Sequence, residues 1–166
     1  MYGTITMEDI RKGDVLMEQA YPSLAYIRRR VTWVNESAAD AICGDLRMEV
    51  LEGDEQKGSY LFLCHTTEAM RNVIHTFHGG CTALVADQAM GSVANSMCSE
   101  DGHAPTSQLC LNFHRPMTAG EDLLVWVRIV NYSRRQIHLS AEIYRKAAPD
   151  KLCVSATSVF FRTGKE

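Results

Sequence analysis

The segment from Gly79 to Met97 constrains the fold more than any other part of the chain. It contains no Lys, Arg or Glu, and Asp87 is its single charged residue. The apolar residues that recur in it at helical spacing are Cys81, Leu84, Val85, Ala89 and Val93. A helix of about five turns with so little charge must be buried against other parts of the protein. We therefore predict one long central helix.

A second stripe of this helix surrounds Asp87 with very small residues. The stripe consists of Gly80, Ala83, Gly91 and Ala94. Such residues allow another backbone to approach closely. An isolated carboxylate in an apolar helix is costly unless it has a partner or a task. We therefore interpret Asp87 as a functional residue and not as an exposed surface charge.

A His-Gly-Gly turn, His78-Gly79-Gly80, precedes the helix, and Asn72 lies six positions before the histidine. The start of a helix offers unpaired backbone N–H groups and the positive end of a dipole, which can bind a carbonyl oxygen that gains negative charge. Asp87 follows His78 by nine positions. An amide, a turn of this kind and one carboxylate at this spacing indicate an active site.

These residues resemble the signature of hotdog-fold acyl-CoA thioesterases of the phenylacetate-degradation (PaaI-like) type. In that family an Asn or Gln precedes the His by six positions and an Asp or Glu follows it by nine, and both spacings hold here. The resemblance covers residues 38–166, which implies a hotdog domain there and an N-terminal helical extension over residues 1–37. It also implies a homodimer whose two sheets join edge to edge, with dimers pairing again into a tetramer.

The resemblance also implies a role for each residue of the signature. The backbone N–H of Gly79 polarises the thioester carbonyl. Asp87 acts either as a general base on water or as a nucleophile through a mixed anhydride, and it faces the asparagine and the His-Gly-Gly turn of the other protomer. Asn72 holds the attacking water or orients the carboxylate. His78 orders the turn and does not shuttle protons.

Four more residues are candidates for the site. A Ser or Thr on the strand after the helix often completes the site in the related family, and Thr106 or Ser107 stands at that place. His75 stands where the family usually has Gly, three positions before the His. Its side chain narrows the acyl pocket, adds a titrating group near neutral pH, or is simply hydrogen-bonded in a loop. We expect both His75 and Gly80 to contact the substrate.

Coenzyme A needs cations for its phosphates, and in related proteins the loops between late strands supply them. Arg134 and Arg135 follow Ser133 in such a turn and are the first candidates, and Arg115 is the second. Arg28-Arg29-Arg30 forms a short basic run. We interpret this run as a solvated helix end near the negative pole of the dipole.

The rest of the chain predicts an α+β fold with an antiparallel sheet of about six strands wrapped around the central helix. Alternating apolar residues and turn signals place the strands at 42–53, 58–66, 107–114, 123–129, 136–144 and 152–162. Gly53-Asp54 and Pro149-Asp150 are predicted turns. The connections are too short for parallel crossovers. Residues 7–19 and 22–30 are predicted helices of the extension.

Composition limits the classes of function. The chain has 166 residues, of which 46% are hydrophobic and 22% charged, which fits one domain with a sizeable core. A net charge of -3 argues against nucleic acid as a partner. The chain shows neither an apolar stretch long enough for a membrane span nor a signal peptide. We therefore expect a cytoplasmic protein without a membrane partner.

Neither cysteine nor metal chemistry is favoured. The six cysteines form no Cys-x-x-Cys pair, and we expect most of them to be reduced core residues. His75, His78 and Cys81 could offer three ligands to zinc. The Gly-Gly turn between them, however, interrupts the regular spacing that would point the three side chains in one direction. Cys81 lies on the apolar stripe, where a thiol is a poor nucleophile. We expect no metal and no cofactor.

The leading hypothesis is hydrolysis of an acyl-CoA thioester to a free acid and coenzyme A. Two alternatives remain open at this point. One is a hotdog enoyl-CoA hydratase or dehydratase with His75 or His78 as the base. The other is a non-catalytic module that binds acyl-CoA, because the same fold can hold a ligand without cleaving it.

Overall fold

The computed structural model describes residues 21–36, 45–99 and 102–163. In this part of the chain helix α1 spans Leu24–Glu36, a short 3-10 turn spans Glu68–Met70 and helix α2 spans Gly79–Ser96. The strands are β1 Met48–Asp54, β2 Ser59–Cys64, β3 Thr106–Phe113, β4 Leu123–Tyr132, β5 Gln136–Arg145 and β6 Ala148–Phe161. The predicted number of strands and their order around one long helix are confirmed.

The strands form one sheet in the order β1-β2-β4-β5-β6-β3, and all neighbouring pairs are antiparallel. Helix α2 packs against β3, β4, β5 and β6. The residues of β4 and β5 that the alternation assigns to one face are all buried, namely Leu123, Val125, Val127, Ile129, Ile137, Leu139, Ala141 and Ile143. The predicted antiparallel sheet packed around a central helix, the hotdog arrangement, is therefore confirmed.

Helix α2 has one face in the core and one face that is partly open. Val85, Ala89 and Val93 are fully buried, whereas Ala83 and Asp87 are only partly buried. The stripe of small residues therefore stays accessible along most of its length, except at the buried Ala94.

The two edges of the sheet differ in how they are covered. On the outer side of β1, Arg28 of α1 donates from Nε to the Val50 oxygen (3.1 Å) and from Nη2 to the Leu51 oxygen (2.7 Å). Asn35 donates to the Met48 oxygen at 2.7 Å and accepts from its N–H at 3.1 Å. These side chains replace a neighbouring strand. On the outer side of β3 no further strand lies within the described residues, so this edge remains open for pairing.

The predicted helix over residues 22–30 is present, but both of its ends differ from the prediction. Helix α1 starts after Ser23, whose Oγ accepts the N–H of Tyr26 at 3.2 Å, as an N-cap does. It continues to Glu36. The predicted helix over residues 7–19 lies outside the described residues, and the division of the chain near residue 37 stays a prediction.

The interpretation of Arg28-Arg29-Arg30 as a solvated helix end is wrong about the helix end, although Arg28 and Arg29 are exposed. The run lies in the middle of α1, and Arg28 is bonded to the edge of β1. Arg29 lies over the Tyr26 ring at 5.0 Å. Arg30 lies over the Trp33 ring at 5.6 Å.

Several predicted strand boundaries need correction, and β4 continues to Tyr132, three residues beyond its predicted end. Strand β1 starts at Met48 because residues 45–46 are helical, and residues 42–44 lie outside the described part. β1 also continues through Asp54, so the first turn follows it. Pro149-Asp150 is not a turn, because β6 already starts at Ala148. Arg145 pairs with Ala148 and Tyr144 with Leu152, so residues 149–151 bulge from the β5 ladder. A proline costs no ladder hydrogen bond in such a bulge.

Candidate active site

Asn72 closes the loop that leads into α2. Its Oδ1 accepts the N–H groups of Ile74 (3.1 Å) and Thr76 (3.0 Å), and its Nδ2 donates to Thr76 Oγ1 at 2.8 Å. The backbone N–H of Asn72 also donates to the Thr76 oxygen at 2.9 Å. Because Oδ1 already has two donors, only one Nδ2 hydrogen is left for a water or a substrate. Asn72 therefore fixes the loop first of all.

His75 has a left-handed backbone, with φ at +64°. Glycine adopts this region freely, and histidine is among the side chains that tolerate it. The N–H of His75 donates to the Asn72 oxygen at 3.1 Å, while the imidazole is exposed. Its predicted contact with the substrate stays a prediction.

His78 caps α2 at its first turn. The residue is extended, and its Nδ1 accepts the N–H of Gly80 at 2.9 Å. A Cβ on Gly80 would lie 3.2 Å from that Nδ1, so glycine gives the imidazole room to fold over the backbone. The structure thus places His78 as a residue that orders the turn. The N–H of Gly80 is taken up by this cap, and its expected contact with the substrate stays a prediction.

We expect His78→Ala to lower the free energy of unfolding by about 1 kcal/mol, because it removes the side-chain cap of α2. His78→Asn should retain most of the stability, since asparagine is a good capping residue. Urea denaturation followed by circular dichroism measures both variants. Equal losses for alanine and asparagine would show that the imidazole stabilises the turn in some other way.

Gly79 is the first residue of α2, and its N–H group donates to no acceptor within the described ranges. It borders a cavity of about 430 Å³. Other residues that line this cavity include Asn72, Thr82, Phe113, Arg115 and Met117. Arg115 is held there by a bond of 2.6 Å from its Nη1 to the Leu152 oxygen. We call Gly79, Asn72 and this cavity the Gly79 half-site.

Asp87 lies partly buried beside the start of β3. Thr106 Oγ1 donates to Asp87 Oδ1 at 2.7 Å, whereas Ser107 Oγ donates to the Val159 oxygen at 3.1 Å. Of the two predicted hydroxyls, the structure thus brings Thr106 to the carboxylate. Asp87 forms no ion pair with a cation in the described part of the chain.

A second cavity, of about 130 Å³, borders Asp87 and Thr106. It is also lined by Arg30, Val34, Gln88, Gly91, Asn95 and Phe160. We call Asp87, Thr106 and this cavity the Asp87 half-site. Sequence reasoning missed Arg30 here, because the packing of α1 on α2 joins residues far apart in the chain and leaves no pattern in either segment.

The two half-sites are separate in one chain. Gly79 and Asp87 are eight residues apart on the same helix, which corresponds to about 12 Å along its axis, and they border different cavities. A single thioester cannot touch both groups of the same chain. If both groups act on one thioester they must come from different chains, and this arrangement stays a prediction.

Arg134 and Arg135 lie in the turn between β4 and β5, closed by the Ser133 N–H bond to the Gln136 oxygen at 2.7 Å. Gln136 pairs with Phe161, next to the partner of Thr106 in the sheet. The turn therefore lies at the Thr106 end of the sheet, but neither arginine lines either of the two cavities. Their contact with coenzyme A stays a prediction.

The cysteines of the described residues differ in how deeply they are buried. Cys64 and Cys153 are buried, Cys81 and Cys98 half-buried and Cys110 exposed. Burial raises the pKa of the Cys64 and Cys98 thiols, which makes them poor nucleophiles. No group of three His, Cys, Asp or Glu side chains within residues 21–36, 45–99 and 102–163 could hold a metal ion. No helix in that part of the chain is both long and apolar enough to cross a membrane.

Comparisons with known proteins agree with this architecture. Residues 75–150 match the sequence model of the thioesterase superfamily, and no curated protein sequence matches the chain. A thioesterase-like, phenylacetic acid degradation-related protein from Ralstonia eutropha has a TM-score of 0.70 at 23% identity, covering 82% of this chain and 98% of its own. Zebrafish thioesterase superfamily member 2 has a TM-score of 0.69 at 18% identity, covering 84% and 97%.

A third solved structure is of a Streptococcus mutans protein bound to acetyl-CoA. Its TM-score is 0.61 at 23% identity, and the alignment covers 72% of this chain and 90% of that protein. At these identities the likeness to the three structures concerns the fold. The match to the superfamily model spans His78, Gly79, Asp87 and Thr106, whereas Asn72 and the α1 residues that line the cavity of Asp87 lie outside it.

Proposed function

We propose that the chain hydrolyses an acyl-CoA thioester to a free acid and coenzyme A, because residues 75–150 match the thioesterase-superfamily model and the fold is similar to that of solved thioesterase structures. The observation that carries the proposal is on α2. Its first N–H group is free at Gly79, and its single carboxylate, Asp87, is oriented by Thr106 and unpaired with any cation in the described ranges. The acetyl-CoA bound to the S. mutans protein supports a coenzyme A thioester as the substrate class.

The chemistry follows from the two half-sites. The N–H of Gly79 donates to the thioester oxygen, which becomes negatively charged as the carbonyl carbon turns tetrahedral, and the helix dipole stabilises that charge. Asp87 of a second copy of the chain takes a proton from water as the water attacks the carbon. The C–S bond then breaks and coenzyme A leaves as the thiolate. Attack by the carboxylate itself, through a mixed anhydride, is the second route that this geometry permits.

We propose that the working unit is a homodimer joined at the β3 edges, with dimers pairing into a tetramer. The open outer edge of β3 supports this arrangement. The separation of the half-sites supports it too, since only a second copy can place Asp87 opposite Gly79. We propose no cofactor. The cytoplasmic location expected from the sequence stays a prediction.

We expect the protein to release free thiol from at least one member of a panel of aryl, short, medium and long acyl-CoA substrates. A thiol reagent measures the release, and a parallel assay follows the absorbance of a conjugated enoyl-CoA. Loss of that absorbance without thiol would favour the hydratase hypothesis. Binding of acyl-CoA with neither signal would favour a binding module. Either result would contradict the proposed hydrolysis.

A further inference from the structure

Helix α1 lies outside the region that matches the superfamily model, yet two of its residues line the cavity of the Asp87 half-site. Arg30 and Val34 line the same cavity as Asp87, Gln88 and Thr106. The cavity measures about 130 Å³, and one water takes about 30 Å³ in the liquid. There is room for a carboxylate or a phosphate group beside the reacting atoms.

The three arginines of α1 make different contacts. Arg28 is bonded to the β1 edge, and Arg29 lies over Tyr26. Arg30 lies over the ring of Trp33, and that ring is 62% exposed. A guanidinium stacked on a ring still presents its N–H groups at its edge. No carboxylate of the described residues lies within 4 Å of Arg30.

A second guanidinium, that of Arg162, lies near the end of α2 but does not line the cavity. It forms a hydrogen bond with the thiol of Cys98, and Arg30 also acts electrostatically on that thiol. The Nε of Arg162 is buried and has no hydrogen-bond partner among the described residues. Among the residues that line the cavity, the carboxylate is that of Asp87 and the cation is that of Arg30.

A bound substrate that covers this cavity removes water from Arg30. A buried charge without a partner is costly, and an ion pair between Arg30 and Asp87 would weaken the carboxylate as a base. The substrate must then supply the anion. A guanidinium can bind a carboxylate or a phosphate through two parallel hydrogen bonds.

We propose that Arg30 is a specificity-determining residue that binds a negatively charged oxygen of the substrate beside Asp87. The proposal rests on the proposed thioester hydrolysis and adds the chemical class of the group that is recognised. The oxygen belongs either to a carboxylate at the far end of the acyl chain or to a phosphate of coenzyme A. The two sources share the same chemistry and are separated by experiment.

The test compares Arg30→Gln with Arg29→Gln, a matched control on the same helix that removes the same charge outside the cavity. The substrates are hexanoyl and adipoyl thioesters, each carried by coenzyme A and by N-acetylcysteamine, which lacks phosphates. We expect Arg30→Gln to raise KM about tenfold or more for the substrates that carry the recognised anion. This is the effect of losing one charge-assisted hydrogen bond. Arg29→Gln should leave all four KM values unchanged.

The pattern identifies the source of the anion. If Arg30→Gln raises KM for both coenzyme A thioesters and leaves KM unchanged for both N-acetylcysteamine thioesters, Arg30 binds a phosphate of coenzyme A. If Arg30→Gln raises KM for both adipoyl thioesters and leaves KM unchanged for both hexanoyl thioesters, Arg30 binds the carboxylate of the acyl chain. An equal effect on all four thioesters, no effect, or the same effect in Arg29→Gln overturns the proposal. Equal unfolding midpoints in urea establish that both variants fold.

Binding separates this proposal from the proposed hydrolysis. If the wild-type protein releases no thiol, calorimetry with hexanoyl-CoA, adipoyl-CoA and coenzyme A still measures anion recognition. Weaker binding to Arg30→Gln alone supports the role of Arg30 while hydrolysis fails. Equal binding to the wild-type protein and both variants overturns the role of Arg30 as well.

Discussion

Asp87→Asn is expected to lower kcat for thioester hydrolysis by about 10²- to 10⁴-fold, the range that a positioned general base contributes. Asparagine has nearly the same shape as aspartate. Its amide oxygen can still accept the hydrogen bond that Thr106 Oγ1 donates to Asp87 Oδ1 at 2.7 Å. The amide cannot take a proton from water. We therefore expect substrate binding to stay close to that of the wild-type protein. Thiol release and calorimetric binding of acyl-CoA measure the two quantities.

The matched control for Asp87→Asn is Asp150→Asn. Asp150 is exposed on the bulged part of β6 and lines neither cavity, so the same chemical change there should leave kcat unchanged. Turnover of Asp87→Asn within tenfold of the wild-type rate would remove the carboxylate from the mechanism. Weak acyl-CoA binding by this variant would instead assign Asp87 to substrate affinity.

The elements predicted correctly from sequence are those whose signals are local. Helix α2 starts at Gly79 as predicted, because the extended His78, the two glycines and a long run free of other charges all lie within the helix or beside it. Strands β4 and β5 follow an apolar alternation that is read directly from the chain. In each case neighbouring residues determine the conformation.

The errors arise where distant parts of the chain decide the structure. Pro149 predicts a turn by local preference, but the register of β5 against β6 places it in a bulge. Arg30 looks like one residue of a solvated basic run, but the packing of α1 brings it to the cavity of Asp87. Neither register nor helix packing is encoded in a short window of sequence.

In the site, too, the local sequence pattern does not decide which of two adjacent residues contacts Asp87. The sequence leaves Thr106 and Ser107 as equal candidates, although adjacent residues of a strand point to opposite faces. The pairing of β3 with β6 is irregular between Thr106 and Gln108, so alternation alone cannot assign the faces there. The structure places Thr106 on Asp87 and turns Ser107 to Val159. The catalytic role of Thr106 stays a prediction.

Gly79→Pro is expected to lower kcat by about 10²- to 10³-fold, the effect of losing one oxyanion-hole donor. The substitution removes the N–H group and fits the backbone. Proline is favoured at the first position of a helix, and the preceding His78, with φ −65° and ψ 133°, already has the extended conformation that a following proline requires. No hydrogen bond to the described residues is lost, because this N–H has no acceptor there.

Gly79→Ala is the matched control, because alanine keeps the N–H group. Its Cβ would lie 3.6 Å from the nearest ring carbon of Phe113, an ordinary contact, so we expect nearly wild-type kcat. Thiol release under saturating acyl-CoA measures both variants, and urea denaturation checks that they fold. A proline variant with wild-type kcat, or an alanine variant as slow as the proline variant, would contradict a role for the N–H.

Mixing the two inactive variants tests whether one site draws on two chains. A dimer with one Asp87→Asn copy and one Gly79→Pro copy has one site with both defects and one site with none. With random exchange about half of the dimers are mixed, so about a quarter of the wild-type activity should return. If instead each site used Gly79 and Asp87 of the same chain, every site would carry a defect and mixing would restore nothing. Recovery after subunit exchange therefore measures directly whether Asp87 serves the glycine N–H of another copy.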